Sequence, residues 1–430
     1  MNPVRHKSSC DGIDSPRYLA SVKQLRVLII GDFLPDIGGV SQYVVNMSIA
    51  LSKGGHKVTI LHTNSGVDAV YKGFHVYRLP LHIYRNVEVI LHGLKYAYKL
   101  FRLLPSMMMK PRLFLYALFI AGRIDYIIKK EKVNIVHSNH LSLRSLVACL
   151  EAKEKGIPCI ITAHGYDTEI PPNIMEYLIR KKCTDIANKV IVQTRLKALR
   201  LVKLYNAKNI VVIPNFIICS PLDASKALYS KVDAKKLLGY DNKNVISFVG
   251  RIVKNKGIFD IVQVAEVLKK KYSTIKDKVV FIIAGDGLDE LRLKELIIAS
   301  GLSDLVVYIG KVTESLKSQL YLASDIFVLP TYHTETFPIA IIEAMSHGAI
   351  PIVYRFPGVE EIFRHGSEGF ILPRGDVEAL SSIIENIILG KIDVHRMQLK
   401  ALTRGRIYCS EHVIPRIIEI YMKMCHEKRG

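Results

Sequence analysis

The chain lacks the marks of several common functional classes. No run reaches about 18 uninterrupted apolar residues, so no segment is expected to span a bilayer. Residues 1–24 have no apolar stretch of the secretory-signal kind and read as a disordered leader. No Asp-x-Asp pair occurs, so no pair of carboxylates is evident for chelating a metal on a substrate phosphate. A Walker loop and a Gly-x-Ser-x-Gly elbow are both missing, which removes two large classes of hydrolase. No His/Cys spacing suggests zinc. Basic residues are not interleaved with aromatics in any recognisable module, so no nucleic-acid partner is expected. The seven cysteines are scattered at positions 10, 149, 159, 183, 219, 409 and 425, without a Cys-x-x-Cys pair. They read as reduced core thiols of a cytoplasmic protein.

What is present is a large, apolar, basic chain. At 430 residues and 49% hydrophobic content it exceeds one ordinary core, so two domains are expected. The net charge of +21 is uneven. Residues 1–214 hold 31 Lys/Arg against 14 Asp/Glu, a net +17, and residues 215–430 hold 29 against 25, a net +4. The basic half should face an anionic partner.

Apolar periodicity alternates between strand and helix throughout, which predicts α/β architecture with mostly parallel sheets. In the first half, Leu25–Ile30 reads as a buried strand, followed by Gly38-Gly39, a helix from Val40 to Lys53 and a strand at Lys57–Leu61. Further strands are expected at Phe74–Leu79, Ile135–His137, Pro158–Ala163, Lys189–Val192 and Ile210–Ile213. A polar stretch without periodicity runs from Pro214 to about Ser230 and marks the domain boundary. The second half predicts strands at Val245–Val249, Val279–Ala284, Val306–Ile309, Ile326–Leu329 and Ile350–Val353. Helices are expected near 257–272, 289–299, 314–323, 338–346, 377–388 and 410–423. This divides the chain into 25–214, 231–400 and a helical segment 401–430, whose pattern alone does not place it and which is expected to pack on the first domain.

The most informative segment is Glu335-Thr-Phe-Pro-Ile-Ala-Ile-Ile-Glu343. A buried strand runs into a polar loop holding Glu335, and a helix starts at Pro338, where proline suits the first turn. Glu343 falls among Ile341, Ile342, Ala344 and Met345, and a carboxylate so placed needs a partner. The free amides at the start of this helix form an anion site. Two carboxylates for hydroxyls and bare amides for phosphate suit a nucleotide-sugar. Arg251 and Lys256 lie on one loop after Val245–Val249, a planar fork and a compact charge for phosphate oxygens. Gly285-Asp286-Gly287 suits a tight turn. His164, in Ala163-His-Gly-Tyr-Asp167, falls where a loop faces the cleft, with Asp167 placed to orient it.

Together these residues resemble a retaining glycosyltransferase of family 4 with the GT-B fold, two Rossmann-like domains facing a cleft. The matches run from Gly38-Gly39 through His164–Asp167, Pro214-Asn215, Gly250-Arg251, Lys256-Gly257 and Gly285–Gly287 to the Glu-x7-Glu segment. The resemblance implies that residues 25–214 bind the acceptor and 231–400 the donor. Arg251 and Lys256 would hold the donor diphosphate, Glu343 the ribose hydroxyls and Glu335 the sugar. Amides near Gly39 and Ile339–Ile341 would support phosphate or sugar, His164 would sit by the sugar, and Val312 would flank the base. Glu335, His164, Arg251 and Lys256 are the expected catalytic residues. No metal or other cofactor is expected, since cations can do a metal's work. Thr336 stands where many members carry glycine, which leaves sugar identity open. The expected reaction moves a hexose-type sugar from an NDP-sugar to a lipid or lipid-linked glycan. A soluble acceptor is the alternative, and a sugar-nucleotide epimerase a further one.

Residues 85–132 hold ten Lys/Arg and three Asp/Glu. On a helix over Leu91–Leu104, Leu94, Ala97, Tyr98, Phe101 and Leu104 share one face, with Lys95, Lys99 and Arg102 beside it. Met107–Met109 and the apolar run Leu113–Ile120 follow. This pattern predicts peripheral binding of residues 91–120 to an anionic surface, on the cytoplasmic membrane face.

Overall fold

The computed structural model describes residues 24–33, 38–79, 91, 96–98, 110–219 and 224–427. The leader at 1–23 lies outside that set, as does most of the expected helix 91–104, including Lys95, Lys99 and Arg102. Two sheets organise the described residues. The first has eight strands: β1 (Arg26–Ile30), β2 (Lys57–Ser65), β3 (Ala69–Tyr71), β4 (Phe74–Leu79), β5 (Ile135–Asn139), β6 (Cys159–Thr162), β7 (Lys189–Val192) and β8 (Ile210–Val212). Their order is β3-β4-β2-β1-β5-β6-β7-β8, and only β3 runs antiparallel. The second has six parallel strands: β9 (Asn244–Val249), β10 (Val279–Ala284), β11 (Val306–Gly310), β12 (Ile326–Leu329), β13 (Ile350–Tyr354) and β14 (Phe370–Leu372), ordered β11-β10-β9-β12-β13-β14.

The central strands of both sheets are buried on two faces, which is why β1, β6, β10, β12 and β13 are nearly continuous apolar runs. Alternation sends Val27 and Ile29 of β1 to one core and Leu28 and Ile30 to the other. Each sheet has a point where the chain reverses its direction of spread. In the first it lies between β1 and β5, and in the second between β9 and β12. Loops at the carboxyl ends of such strand pairs form ligand crevices.

The chain crosses between sheets twice, and the two crossings pair. Ile217 N–H donates to Tyr408 O at 3.0 Å, and Ser410 N–H donates to Ile217 O at 2.8 Å. Beyond them, helix Ser410–His426 returns to the first sheet, where Tyr421 Oη meets His137 Nδ1 at 2.5 Å and Arg416 donates to Val212 O at 3.0 Å.

Three expectations need correction. Cys149 is bonded to Cys159, and Cys219 to Cys409, so these four are not free thiols. Topology makes both pairs: helix Leu143–Glu154 packs against β6, and the crossings place Cys219 beside Cys409. The cysteine argument for a reducing compartment falls with them. The stretch before Ser230 is not irregular throughout, because helix Ala224–Leu237 begins within it. That helix closes part of its buried side with Lys231, which donates to Ser324 O, and with Lys235, paired to Asp325 at 2.6 Å. No apolar period results. Finally, much of Leu113–Ile120 is core. It opens helix Pro111–Glu131, where Ala117, Leu118 and Ile120 are buried and Leu115 is exposed.

Candidate active site

The second sheet builds its crevice from loops locked together by glycine. Gly257 has φ 73°, and a Cβ there would lie 1.8 Å from Pro330 O. This fastens the loop after β9 to the end of β12. Gly285 has φ 136°, and a Cβ there would lie 1.8 Å from Gly250 O, fastening the end of β10 to the same loop. The Gly285–Gly287 turn thus sets backbone spacing under Arg251 and Lys256. Tyr332 and His333 N–H groups both donate to Asn255 O, at 2.8 and 3.1 Å.

This framework brings Lys256 and Glu335 into an ion pair between Nζ and Oε1, with side chains 15% and 12% exposed. Buried Thr331 donates to the same Oε1 at 3.3 Å. Arg251 is exposed and has no side-chain partner among the described residues. One edge of the crevice therefore holds a free guanidinium beside a neutralised ammonium–carboxylate pair. Glu343 lies on helix Ile339–Ser346. Its Oε1 accepts from Lys317 Nζ at 3.0 Å and its Oε2 from Tyr321 Oη at 3.1 Å. Burial raises its pKa above the usual carboxylate value, and the Lys317 charge works against that rise. Ile339, Ala340 and Ile341 form the first turn of this helix, after Pro338, but the Ile341 N–H is not free as expected: it donates to Pro338 O at 3.2 Å, closing the turn. Val312 packs on the core just after β11, and Gly310 precedes it in the left-handed region at φ 71°.

Across the crevice, the first sheet contributes neutral groups and two ion pairs, one of them Arg144 Nη1–Asp32 Oδ1 at 3.3 Å, following β5 and β1. His164 follows β6 and is buried. Its Nε2–H donates to Asn139 Oδ1 at 3.0 Å, and burial lowers its pKa to about 3. It is a neutral imidazole at any physiological pH. Asp167 does not orient the His164 ring as expected. Its carboxylate accepts the His164 backbone N–H at 2.7 Å and pairs with His140 Nδ1 at 3.2 Å. His140 was not singled out from sequence. It stands at the reversal point after β5, in the left-handed region at φ 71°. Burial works against its charge, but Asp167 raises its pKa overall. Its one sequence signal is its place directly after a strand, beside Asn139. Tyr43 packs edge-on against His164 with centroids 5.3 Å apart. Gly39 starts helix Gly39–Lys53, and a Cβ on it or on Gly38 would meet no atom of the described residues within 4 Å.

The two sides touch. A Cβ on Gly165 would lie 2.2 Å from Thr336 Oγ1, so the His164-Gly165 and Glu335-Thr336 loops face each other directly. Asn215 Nδ2 donates to Phe337 O at 2.9 Å, tying the first crossing to the same loop. Residues predicted from separate halves of the sequence thus converge on one crevice.

Comparison with known proteins fits this arrangement. Residues 37–220 match the family model "Glycosyltransferase Family 4", and residues 230–404 match "Glycosyl transferases group 1". The chain belongs to the family 4 glycosyltransferases. It is 26% identical to a phosphatidylinositol N-acetylglucosaminyltransferase subunit of Arabidopsis thaliana, over 86% of this chain and 76% of that protein. It is 28% identical to an Escherichia coli UDP-Gal:alpha-D-GlcNAc-diphosphoundecaprenol alpha-1,3-galactosyltransferase, over 62% of this chain and 69% of that one. Among solved structures, sucrose-phosphate synthase from Thermosynechococcus elongatus superposes with a TM-score of 0.70 at 19% identity, covering 93% of this chain and 99% of that one. An Anabaena protein, HepE, solved with UDP, gives 0.68 at 16% identity, covering 93% and 100%. These neighbours establish the GT-B fold. The glycosyltransferase keeps Arg251 and the Lys256–Glu335 and Lys317–Glu343 pairs on the second sheet, and neutral His164 with the His140–Asp167 and Arg144–Asp32 pairs on the first.

Proposed function

We propose that this glycosyltransferase moves a hexose-type sugar from an NDP-sugar to a lipid or lipid-linked acceptor on the cytoplasmic membrane face, with retention and without a metal. The observation that carries the donor reading is the exposed Arg251 beside the Lys256–Glu335 pair, under loops fastened by Gly257 and Gly285. Breaking the anomeric C–O bond builds negative charge on the leaving diphosphate and positive character on the sugar. Arg251, Lys256 and the amides of Ile339 and Ala340 meet the first, and Glu335 stands ready for the sugar. Glu343 accepts from the ribose, Val312 flanks the base, Gly39 leaves room for phosphate, and neutral His164 offers a hydrogen bond to the sugar rather than a charge.

The acceptor reading rests on the relatives, which are named for phosphatidylinositol and diphosphoundecaprenol substrates. It rests also on the +17 half and on Leu91 and Tyr98, seven residues apart and 56% and 69% exposed. No helix among the described residues is long and apolar enough to cross a membrane. The test is turnover of UDP-, GDP- and ADP-sugars after EDTA treatment, with phosphatidylinositol, a polyprenyl-diphosphate sugar or soluble sugars as acceptors. Transfer to a lipid is expected. Transfer only to a soluble sugar replaces the acceptor reading, and activity restored only by Mg²⁺ or Mn²⁺ overturns the metal-free one.

A further inference from the structure

Helix Glu314–Ala323 carries a row of polar side chains spaced three and four apart: Glu314, Lys317 and Tyr321. That spacing puts all three on one face. Thr313 caps the helix by accepting the Leu316 N–H at 3.3 Å, which fixes the register of the row. The face lies against helix Ile339–Ser346, and the row ends on one carboxylate. Lys317 takes Oε1 of Glu343 and Tyr321 takes Oε2, while Glu314 braces Lys317 from the outer side at 3.0 Å. Tyr321 is fully buried, whereas Lys317 and Glu343 keep side chains 16% exposed.

A carboxylate presents about four acceptor sites. Two are used here, one on each oxygen, so two remain, and the group is not sealed off from the crevice. We propose that Lys317 and Tyr321 are positioning residues: they hold the Glu343 carboxylate ionised and aimed, so that its remaining acceptor sites receive both hydroxyls of a nucleotide ribose. This inference rests on the reading of Glu343 as the ribose acceptor.

The electrostatics agree with the geometry. Burial pushes the Glu343 pKa up, and Lys317 is the strongest influence pulling it down. Exposed Glu314 pushes the other way, and the Tyr321 hydroxyl helps Lys317. At the end of the same helix, His347 shares its ring with Glu343 O at 2.8 Å, and its own pKa is lowered, by burial first and then by nearby Lys231, Lys317 and Arg406. His347 therefore adds no positive charge near Glu343 at neutral pH. Lys317 is the cation that holds the carboxylate in its charged form.

The test is UDP binding by calorimetry from pH 6 to pH 8, with GDP and ADP used if UDP is not held. Wild type sets the reference slope, since the terminal phosphate of UDP itself takes up a proton at about pH 6. Lys317→Met should bind more weakly, and its affinity should fall more steeply than that of wild type between pH 8 and pH 6, because a carboxyl that has lost its cation takes up a proton more readily as pH falls and must release it to accept the ribose. Lys317→Arg should restore the wild-type slope. Tyr321→Phe should weaken binding with a smaller change of slope than Lys317→Met. In turnover, Lys317→Met should raise KM for the donor and leave kcat within a few fold. Thermal melts of each variant separate loss of fold from loss of aim. If Glu343→Gln binds weakly but Lys317→Met matches wild type at every pH, the positioning role is overturned and the ribose reading stands. If Glu343→Gln itself binds like wild type, the ribose reading falls and takes this inference with it.

Discussion

The two halves of the molecule reach one crevice with opposite chemistry. The first half carries a net +17, yet what it places at the crevice has no excess of cations: buried neutral His164, Asn139, Tyr43 and two ion pairs, His140–Asp167 and Arg144–Asp32. Lysines 129, 130 and 132 are instead exposed, away from the carboxyl ends of the strands. The second half is nearly neutral overall, but it concentrates charge where the strands reverse: Arg251, Lys256–Glu335 and Lys317–Glu343. Bulk charge and site charge are thus separate quantities. An excess spread over a surface sets long-range attraction to an anionic partner. A few cations held by glycine-locked loops are what can stabilise charge that develops during a reaction.

The sharpest break of that comparison is to remove the site cations of the nearly neutral half. Arg251→Ala and Lys256→Ala should each lower turnover by about 10²–10³, roughly 2.7–4 kcal/mol of transition-state stabilisation. The two should differ in stability. Arg251 is exposed and has no side-chain partner among the described residues, so its loss should leave the melting temperature unchanged. Lys256→Ala strands the Glu335 carboxylate, only 12% exposed, and should lower it. Initial rates and thermal melts on both variants decide the matter. Near-normal turnover in both would remove the phosphate assignment.

Most of the frame for this prediction is legible in the sequence. β7, β10 and β12 fall where their apolar runs put them, because parallel strands buried on both faces cannot be anything but apolar. The need of Glu343 for a partner is also legible, from its apolar neighbours. The partner is not: Lys317 belongs to another helix, and only the β9-β12 reversal brings the two helices together. His140 escapes for the same reason, since its link to Asp167 spans 27 residues and two strands. Helix Ala224–Leu237 escapes because lysines occupy buried positions on it. The disulfides escape because Cys219 and Cys409 lie 190 residues apart, joined by the crossings and not by any spacing. The Leu91–Leu104 pattern lies largely outside the described residues.

Buried lysines offer a second contrast between the halves. Lys197, in the first, is fully buried and its Nζ has no hydrogen-bond partner. It sits in the first turn of helix Arg195–Tyr205, where the helix dipole also disfavours a cation. Lys231, in the second, is buried but donates to Ser324 O near Asp325. Burial lowers both pKa values to about 8. Between about pH 8 and the unfolded value near 10.4, the unfolded chain binds more protons at these sites than the folded one, so stability should rise with pH across that window. Below it, the cost of burying the charge is constant. Lys197→Met should therefore stabilise the protein at pH 7 by about 1–3 kcal/mol, the cost of an unsatisfied buried group. Lys231→Met should gain less or lose, because it leaves Ser324 O without its donor. Denaturant melts at pH 7 and pH 10 measure both. Equal effects from the two substitutions would mean that the hydrogen bond to Ser324 does not separate them.

The smallest effects should come from the dispersed charge of the first half. If that excess works by attraction to an anionic surface, no single residue carries it. Each Lys or Arg near such a surface contributes about 1 kcal/mol, and salt screens it over roughly 10 Å at 0.1 M. Single substitutions Lys95→Gln, Lys99→Gln and Arg102→Gln should thus each weaken binding to anionic vesicles by about fivefold, roughly additively, and the loss should shrink as salt is raised. None should alter UDP binding, because the nucleotide groups proposed above belong mainly to the second half. Vesicle flotation with neutral and anionic lipids, at low and moderate salt, reads the first effect, and calorimetry the second. Wild type that fails to float with anionic vesicles at low salt would remove the membrane reading and favour a soluble acceptor. Wild type that floats while all three variants float equally well would move the contact away from Leu91–Leu104 to other basic residues of the same half. A loss from any one variant as large as the whole binding would instead indicate a specific headgroup site and end the comparison between dispersed and concentrated charge.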